Sequence, residues 1–152
     1  MYLGEFEFLF WLALRNGLMT NVERVCRNLS SFWMSQICND DEEDVGHVFL
    51  KCNTTRKLWT SVIKLDRLLV FHDLSFHEWM TTNLHMLGNF RIAPANWNVL
   101  FSVICWMLWK RKYSLVMDTS FIEKEDLLRY CMLFMRHVIK AQESRLIAVI
   151  YS

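Results

Sequence analysis

An all-α fold is the class that the sequence predicts, as an irregular bundle of about five or six helices with a short Cys/His loop segment. The chain of 152 residues has one proline and four glycines, so it offers few residues suited to sheet turns or linkers. Its apolar fraction of 53% is too high for a disordered chain. The longest helix is predicted over residues 95 to about 117, where apolar side chains recur at helical spacing at Trp97, Leu100, Phe101, Ile104, Cys105, Leu108 and Trp109.

Terminal signals define the first two helices. Residues 5–16 are apolar almost throughout, and Gly17 stands where a C-cap glycine ends a helix. Thr20 and Glu23 then match a capping box, in which the hydroxyl accepts from the Glu23 amide and the carboxylate reaches back. This box predicts a short helix that ends near Asn28.

The middle of the chain combines a polar loop with helical turns. Residues 30–44 are polar and irregular, and residues 45–50 are predicted to form one or two helical turns. Asn53 or Thr54 is expected to cap the following helix. Its apolar stripe is formed by Leu58, Val62 and Leu65, with Trp59 beside it.

Two further capping boxes open later helices. Ser75 and Glu78 begin a helix that is expected to end at Gly88, and Ser120 and Glu123 begin the last one. Pro94 suits the first turn of the long helix between them. The apolar tail, residues 146–151, either extends the last helix or forms a strand. The apolar positions of the last helix are Leu127, Leu128, Cys131, Phe134, Met135 and Val138.

Charge and cysteine content restrict the classes of function. With a net charge of +1, the chain has no global field to attract nucleic acid, so any such binding must come from a local patch. Five cysteines without a preceding secretory segment favour reduced thiols and an intracellular protein, with nucleus and cytoplasm both open. Neither apolar run, residues 8–14 or 99–109, approaches the roughly 20 residues that a membrane span needs. No membrane partner is therefore expected.

One segment carries the residue types of a metal site. Cys38, His47 and Cys52 lie close together in sequence, and thiolate and imidazole are the usual ligands of zinc. A closed structural zinc site takes four ligands, and three are present. Ser35 stands three residues before Cys38, where a CxxC pair would place its first thiolate. The sequence therefore predicts a zinc site with one ligand missing.

Other interpretations of this segment are weaker. Cys26 would be an unusually distant fourth ligand, and a neutral hydroxyl at Ser35 is a poor zinc ligand beside thiolates. An open catalytic site would need a poised base such as Glu42 or Glu43, which nothing in the sequence supports. The five acids of residues 40–44 lack calcium-loop spacing and are expected to be a solvated loop.

Three quoted stretches support a family resemblance. Residues 8–59, with FLFWLALRNGLMTNVERV, the ligand segment and KCNTTRKLW, resemble the zinc-binding region of plant LINE-type retrotransposon reverse transcriptases. By that resemblance Cys38, His47 and Cys52 are the second, third and fourth zinc ligands, and Ser35 occupies the position of the first. WNVLFSVICWMLWKRKYSLVMD, residues 97–118, is similar to the helical connector that precedes the ribonuclease H domain in such proteins.

The resemblance implies two regions and a function. Residues 1–65 would be a degenerate reverse-transcriptase-type zinc-binding region, and residues 66–152 a helical connector packed on it. The expected cofactor is zinc, bound weakly or not at all. Polymerase and ribonuclease H motifs are not recognised in the sequence, so the chain is expected to be non-catalytic, with an accessory role in nucleic-acid binding. The alternative is a metal-free helical remnant that acts only as a protein-interaction or structural module, or has no function.

Partner expectations rest on basic and apolar surface. Weak binding to RNA or DNA is expected from two small basic groups beside aromatic residues, although a solvated helix face explains the same charges. Self-association through exposed apolar surface is the further expectation. The nucleic-acid candidates are Arg56, Lys57, Lys64, Lys110, Arg111 and Lys112.

Overall fold

The computed structural model describes residues 3–85, 97–117 and 126–152, and within these ranges the protein is all-α, as predicted. The helix ends that were expected at four positions lie outside the described residues: Gly88, Pro94, Ser120 and Glu123. The elements in chain order are α1 (Leu3–Leu14), α2 (Asn21–Cys26), a π-helical turn (His47–Lys51), α3 (Asn53–Val62), a 3₁₀ turn (Leu65–Arg67), α4 (Leu68–Asp73), α5 (Phe76–His85), α6 (Trp97–Met117) and α7 (Leu127–Tyr151).

Asn16, not Gly17, ends α1. Asn16 adopts φ 52°, the left-handed conformation that asparagine tolerates better than most non-glycine residues, whereas no glycine in the described residues has a positive φ. The Gly17 amide donates to the Leu12 carbonyl at 2.8 Å and the Asn16 amide to the Ala13 carbonyl at 3.3 Å. These two bonds form a Schellman motif, so the expected glycine cap is replaced by an asparagine cap one residue earlier.

Helix α2 has the same ending and half of the expected capping box. The Thr20 hydroxyl accepts from the Glu23 amide at 3.2 Å, as predicted. The Glu23 carboxylate instead accepts from Arg27 at 2.6 Å, one turn along the helix. Asn28, with φ 57°, takes the left-handed position that ends the helix. At α5 both halves of the box are present, between Ser75 and Glu78.

Helix α3 departs from the prediction at both ends. Its N-cap is Cys52, because residue 53 is already helical. Leu58 and Val62 are buried as expected, but Leu65 is 83% exposed. The α-helix stops at Val62 and the backbone turns extended at Ile63, so Leu65 lies on a separate 3₁₀ turn and leaves the stripe.

Helix α6 is the centre of the bundle. It packs against α1, α5, α7 and the π-helical turn, and the side chains of its predicted stripe are buried, with Trp109 partly so. Against it lies an aromatic cluster in which the ring centroid of Trp79 is 4.9 Å from that of Phe101 and 5.6 Å from that of Trp59. Phe71 completes the cluster, with its centroid 5.2 Å from that of Trp59.

One hydrophobic core runs through both regions proposed from the sequence. It extends from Phe6 on α1 to Val138 on α7, and it includes the buried thiols Cys105 and Cys131 on α6 and α7. The division of the chain into a zinc-binding region up to residue 65 and a connector region after it stays a prediction.

The apolar tail extends α7 as helix, the first of the two expected alternatives. Its last turns are exposed. None of the described helices is both long enough and apolar enough to cross a lipid bilayer.

Candidate metal centre

A tight turn presents Cys38. An isolated antiparallel bridge pairs Met34 with Glu42 and closes the loop between them. Within the loop the Ser35 amide donates to the Asp41 carbonyl, and the Asn39 amide donates to the Ser35 carbonyl, both at 2.9 Å. Asn39, with φ 57°, lets the chain reverse directly after Cys38. The result is a compact hairpin with Cys38 near its tip.

A π-helical turn places His47 beside Cys52. The Cys52 amide donates to the His47 carbonyl at 3.1 Å, a bond between residues five apart. In an α-helix of about 3.6 residues per turn, side chains five apart diverge by about 140°. The wider turn reduces this divergence, and such turns are frequent at functional sites. The HxxxxC spacing therefore fits this backbone better than a regular helix.

The three predicted ligands converge. Cys38 Sγ lies 3.3 Å from His47 Nε2, and the two sulfurs and an imidazole nitrogen all lie within 4.8 Å of one another. His47 and Cys52 are buried and Cys38 is partly buried. The structure thus brings together the ligand set expected from the sequence.

The charge state of the cluster suits a metal ligand set. Burial of the Cys52 thiol opposes its ionisation, but the hydrogen bond with His47 and bonds from the Thr54 hydroxyl and the Thr54 and Thr55 amides lower its pKa to about 6. The hydrogen bond with Cys52 raises the pKa of His47 to about 9, despite the opposing effect of burial. Both shifts favour a thiolate–imidazolium pair, and the thiolate is the form that binds metals.

Two aspartates lie beside His47, Asp44 at its backbone and Asp41 at the far side of its ring. Its backbone amide donates to Asp44 Oδ1 at 2.6 Å, which fixes the start of the turn. Its Nδ1 is buried without a hydrogen-bond partner, and the nearest carboxylate oxygen of an ion-pair partner, Asp41 Oδ2, is 4.0 Å away. In metal-bound histidines, the N–H of the second ring nitrogen usually donates a hydrogen bond to such a carboxylate.

Ser35 is fully buried at the start of the hairpin turn. Its hydroxyl accepts from the Ile37 amide at 3.2 Å, a local bond that keeps the side chain folded over the turn. Cys26 is exposed and does not belong to the ligand group that the described residues form.

The acidic loop contains a buried member that the sequence interpretation missed. Asp40, Asp41, Glu42 and Asp44 are exposed as expected, but Glu43 is 1% exposed. The expectation of a fully solvated loop was therefore wrong at Glu43. Glu43 lies within a run of five acidic residues, so residue type alone gave no signal of its burial.

Glu43 meets Lys112 of α6 in the interior. Lys112 Nζ lies 3.3 Å from Glu43 Oε1 and donates to the Met19 carbonyl at 2.6 Å. The Asn21 amide also donates to Glu43 Oε1, at 3.2 Å. Burial raises the pKa of Glu43 and lowers that of Lys112, each against the attraction of its partner. These contacts link the acidic loop and the start of α2 to α6.

The basic candidates divide into two groups. Arg56, Lys57, Lys64 and Lys110 are exposed. Arg111 and Lys112 are 9% and 3% exposed and make internal bonds, so they do not present charge to a phosphate backbone.

The donor geometry fits zinc. Bond lengths of 2.0–2.1 Å to nitrogen and 2.3 Å to sulfur imply separations of about 3.4–3.8 Å between tetrahedral ligands. The observed separations, from 3.3 Å up to a limit of 4.8 Å, bracket this range, so small side-chain movements suffice to close the site. Cys38, His47 and Cys52 would hold the ion.

Comparison with known proteins gives one match. Residues 4–59, just over a third of the chain, match the family model described as zinc-binding in reverse transcriptase, and all three ligands lie inside the matched segment. No curated protein and no solved structure matches the chain.

Proposed function

We propose that this chain is a non-catalytic zinc-binding module derived from a retrotransposon reverse transcriptase, with a weakened zinc site and an accessory role in RNA or DNA binding. The observation that carries the proposal is the convergence of Cys38, His47 and Cys52 within 4.8 Å, inside the segment that matches the zinc-binding family. The plant LINE-type origin and the connector assignment of residues 97–118 rest on the sequence resemblance and belong to the same proposal.

The proposed site is weakened because its first ligand position carries a hydroxyl. Ser35 precedes Cys38 by three residues in the same hairpin, the spacing of a CxxC pair, and is buried there. A serine offers no anionic sulfur, so the ion loses one charge-neutralising bond. Zinc bound by three protein ligands is expected to be weak or sub-stoichiometric.

Restoring the thiol tests the metal part of the proposal. Ser35→Cys should raise the zinc content of the purified chain to about one per chain and raise its melting temperature, because metal binding energy contributes to folding. Cys52→Ala should abolish zinc binding and serves as the negative control. Equal zinc content in the parent chain and Ser35→Cys would contradict the account of a missing ligand.

The nucleic-acid part rests on the outer face of α3. Asn53, Arg56, Lys57 and Thr60 line a shallow surface groove and are spaced as neighbours on one helix face. Arg56 and Lys57 are exposed, and the helix begins directly at the ligand Cys52. Lys64 follows the helix and is also exposed. A few cations of this kind suit weak, sequence-independent contact with phosphates.

Salt-dependent titration tests this part. Fluorescence anisotropy with a labelled single-stranded RNA and DNA should show binding at low salt that weakens as salt rises. The double variant Arg56→Gln/Lys57→Gln should bind more weakly, with a slope of log K against log salt that is smaller by about 1.4, from roughly 0.7 per lost phosphate contact. The control, Arg136→Gln/Lys140→Gln, removes the same charge from exposed positions on α7. Absence of low-salt binding by the parent chain would refute this part alone.

A second candidate function is a protein-interaction module. The observation that favours it is the exposed apolar end of α7, formed by Leu146, Ile147, Val149, Ile150 and Tyr151. Exposed apolar surface of this kind often marks an association site. Light scattering separates the two candidates, since a monomer at all concentrations favours the zinc module and concentration-dependent association favours the interaction module.

A further inference from the structure

Cys52 has a hydrogen-bond partner of its own in the first turn of α3. As the N-cap of that helix it places Sγ 3.3 Å from Thr54 Oγ1; Cys52 is buried and Thr54 is partly buried. Either atom of such a pair is chemically able to donate. Which one does so determines whether the sulfur receives a hydrogen bond from Thr54.

Arg111 favours one direction of that bond. It reaches from α6 across 57 positions of sequence, and its Nη2 lies 3.2 Å from Thr54 Oγ1. A guanidinium only donates, so the Thr54 oxygen must accept from it. The single hydroxyl hydrogen of Thr54 is then available to Cys52 Sγ.

The neighbouring threonine shows the same orientation. Arg111 Nη2 is also 3.5 Å from Thr55 Oγ1, and that hydroxyl donates to the Val48 carbonyl at 3.3 Å. Thr55 therefore accepts from the guanidinium on one side and donates on the other. Two adjacent hydroxyls are polarised by one buried cation.

We infer that Arg111 and Thr54 are positioning residues for the metal centre, with Arg111 orienting the Thr54 hydroxyl to donate to the Cys52 sulfur. The inference rests on the zinc site proposed above and adds a residue on α6, outside the segment that matches the zinc-binding family. This Arg111–Thr54–Cys52 relay limits rotation of the Cys52 sulfur away from His47 and donates a hydrogen bond to the sulfur when it coordinates metal. Second-shell bonds of this kind alter metal affinity by about 10- to 100-fold.

The test compares two substitutions of Thr54 in the full chain. Thr54→Val removes the hydroxyl at nearly constant shape, and Thr54→Ser keeps it. Titration with Co²⁺, followed by competition with Zn²⁺, should give about 10- to 100-fold weaker binding for Thr54→Val and near-parent binding for Thr54→Ser. Ser61→Ala, at an exposed position of the same helix outside the basic groove, should leave affinity unchanged.

A spectroscopic signature separates this role from a general loss of stability. A hydrogen bond to a thiolate lowers the energy of its sulfur electrons, so losing it should move the sulfur-to-cobalt charge-transfer band to longer wavelength in Thr54→Val. Arg111→Met should move the band in the same direction. Equal affinities and identical bands in Thr54→Val and Thr54→Ser would overturn the relay while leaving the zinc site in place. Absence of any thiolate–cobalt band in the parent chain would instead refute the zinc site, and the relay with it.

Discussion

The ligand segment, residues 35–55, and the aromatic cluster of Trp59, Phe71, Trp79 and Phe101 are stabilised by different physical means. In the ligand segment, directional bonds between polar groups position the candidate ligands, such as the bond from the Cys52 amide to the His47 carbonyl, while Val48, Phe49 and Leu50 belong to the core. The aromatic cluster is held by burial of large rings against α6. Polar bonds fix atoms in space, whereas ring packing supplies most of the free energy of folding.

The two regions meet at Trp59. Its ring belongs to the cluster, and its Nε1 donates to the Phe49 carbonyl inside the π-helical turn at 2.8 Å. The turn that carries His47 is thereby anchored to the core. We expect damage to the cluster to unfold the whole chain, and damage to the ligand segment to change metal binding first.

The largest loss of stability is expected from a substitution at the centre of the aromatic cluster. Trp79→Ala should lower the free energy of unfolding by about 3–5 kcal/mol, the usual cost of deleting a fully buried aromatic ring. Urea denaturation followed by circular dichroism measures it. Trp33→Ala, at a 48% exposed position, is the control and should cost far less. Similar losses at both positions would remove the distinction between core and surface tryptophans.

The next largest loss of stability is expected when the ion pair between Glu43 and Lys112 is broken. Lys112→Met leaves a buried carboxylate unpaired and should cost about 3–5 kcal/mol, whereas Lys110→Met, at an exposed neighbour, should cost little. The double variant Glu43→Gln/Lys112→Met should be more stable than Lys112→Met alone, since the orphaned charge is gone. A double variant that shows the full sum of the two single losses would contradict direct coupling of these residues.

Substitution of Asp41 is expected to weaken zinc binding with little effect on stability. Asp41→Asn should weaken zinc binding by about tenfold, because the neutral side chain is a poorer acceptor for the Nδ1 hydrogen of metal-bound His47. Stability without metal should hardly change, since Asp41 is exposed. Zinc competition assays measure the first quantity and thermal melts the second. Glu42→Gln is the adjacent control; an equal loss of affinity there would assign the effect to net charge.

The smallest effect on stability is expected at the end of α7. Leu146→Lys and Ile150→Lys replace exposed side chains and should change the free energy of unfolding by no more than about 0.5 kcal/mol. If this surface mediates association, the same variants should be more monomeric in light scattering than the parent chain. A marked loss of stability would show that the tail packs against the core.

Local patterns predicted most of the helices, and the errors fall at helix ends that the local sequence did not mark clearly. The α6 stripe and the Ser75 capping box followed from residue type and spacing alone. Leu65 was misplaced because the break after Val62 has no glycine or proline to announce it. The left-handed cap was assigned to Gly17 although Asn16 tolerates the same conformation.

The candidate site shows the same division. Cys38, His47 and Cys52 were proposed from residue type and spacing together with the family resemblance, and the structure brings their side chains together. Glu43, Lys112 and Arg111 were not assigned their structural roles, because their partners lie at sequence distances of 57 to 93 residues or in a loop that looked solvated. The burial of a charged side chain cannot be predicted from the sequence until its partner is known.

The position of the two core thiols has a practical consequence for chemical labelling. Burial raises the pKa of Cys105 well above its usual range and that of Cys131 to about 12, so both are protonated and shielded in the folded chain. Alkylating reagents should therefore modify Cys26 readily, and Cys38 and Cys52 according to whether an ion protects them. Counting labelled sulfurs by mass spectrometry then gives a direct measure of how many molecules in a sample carry metal.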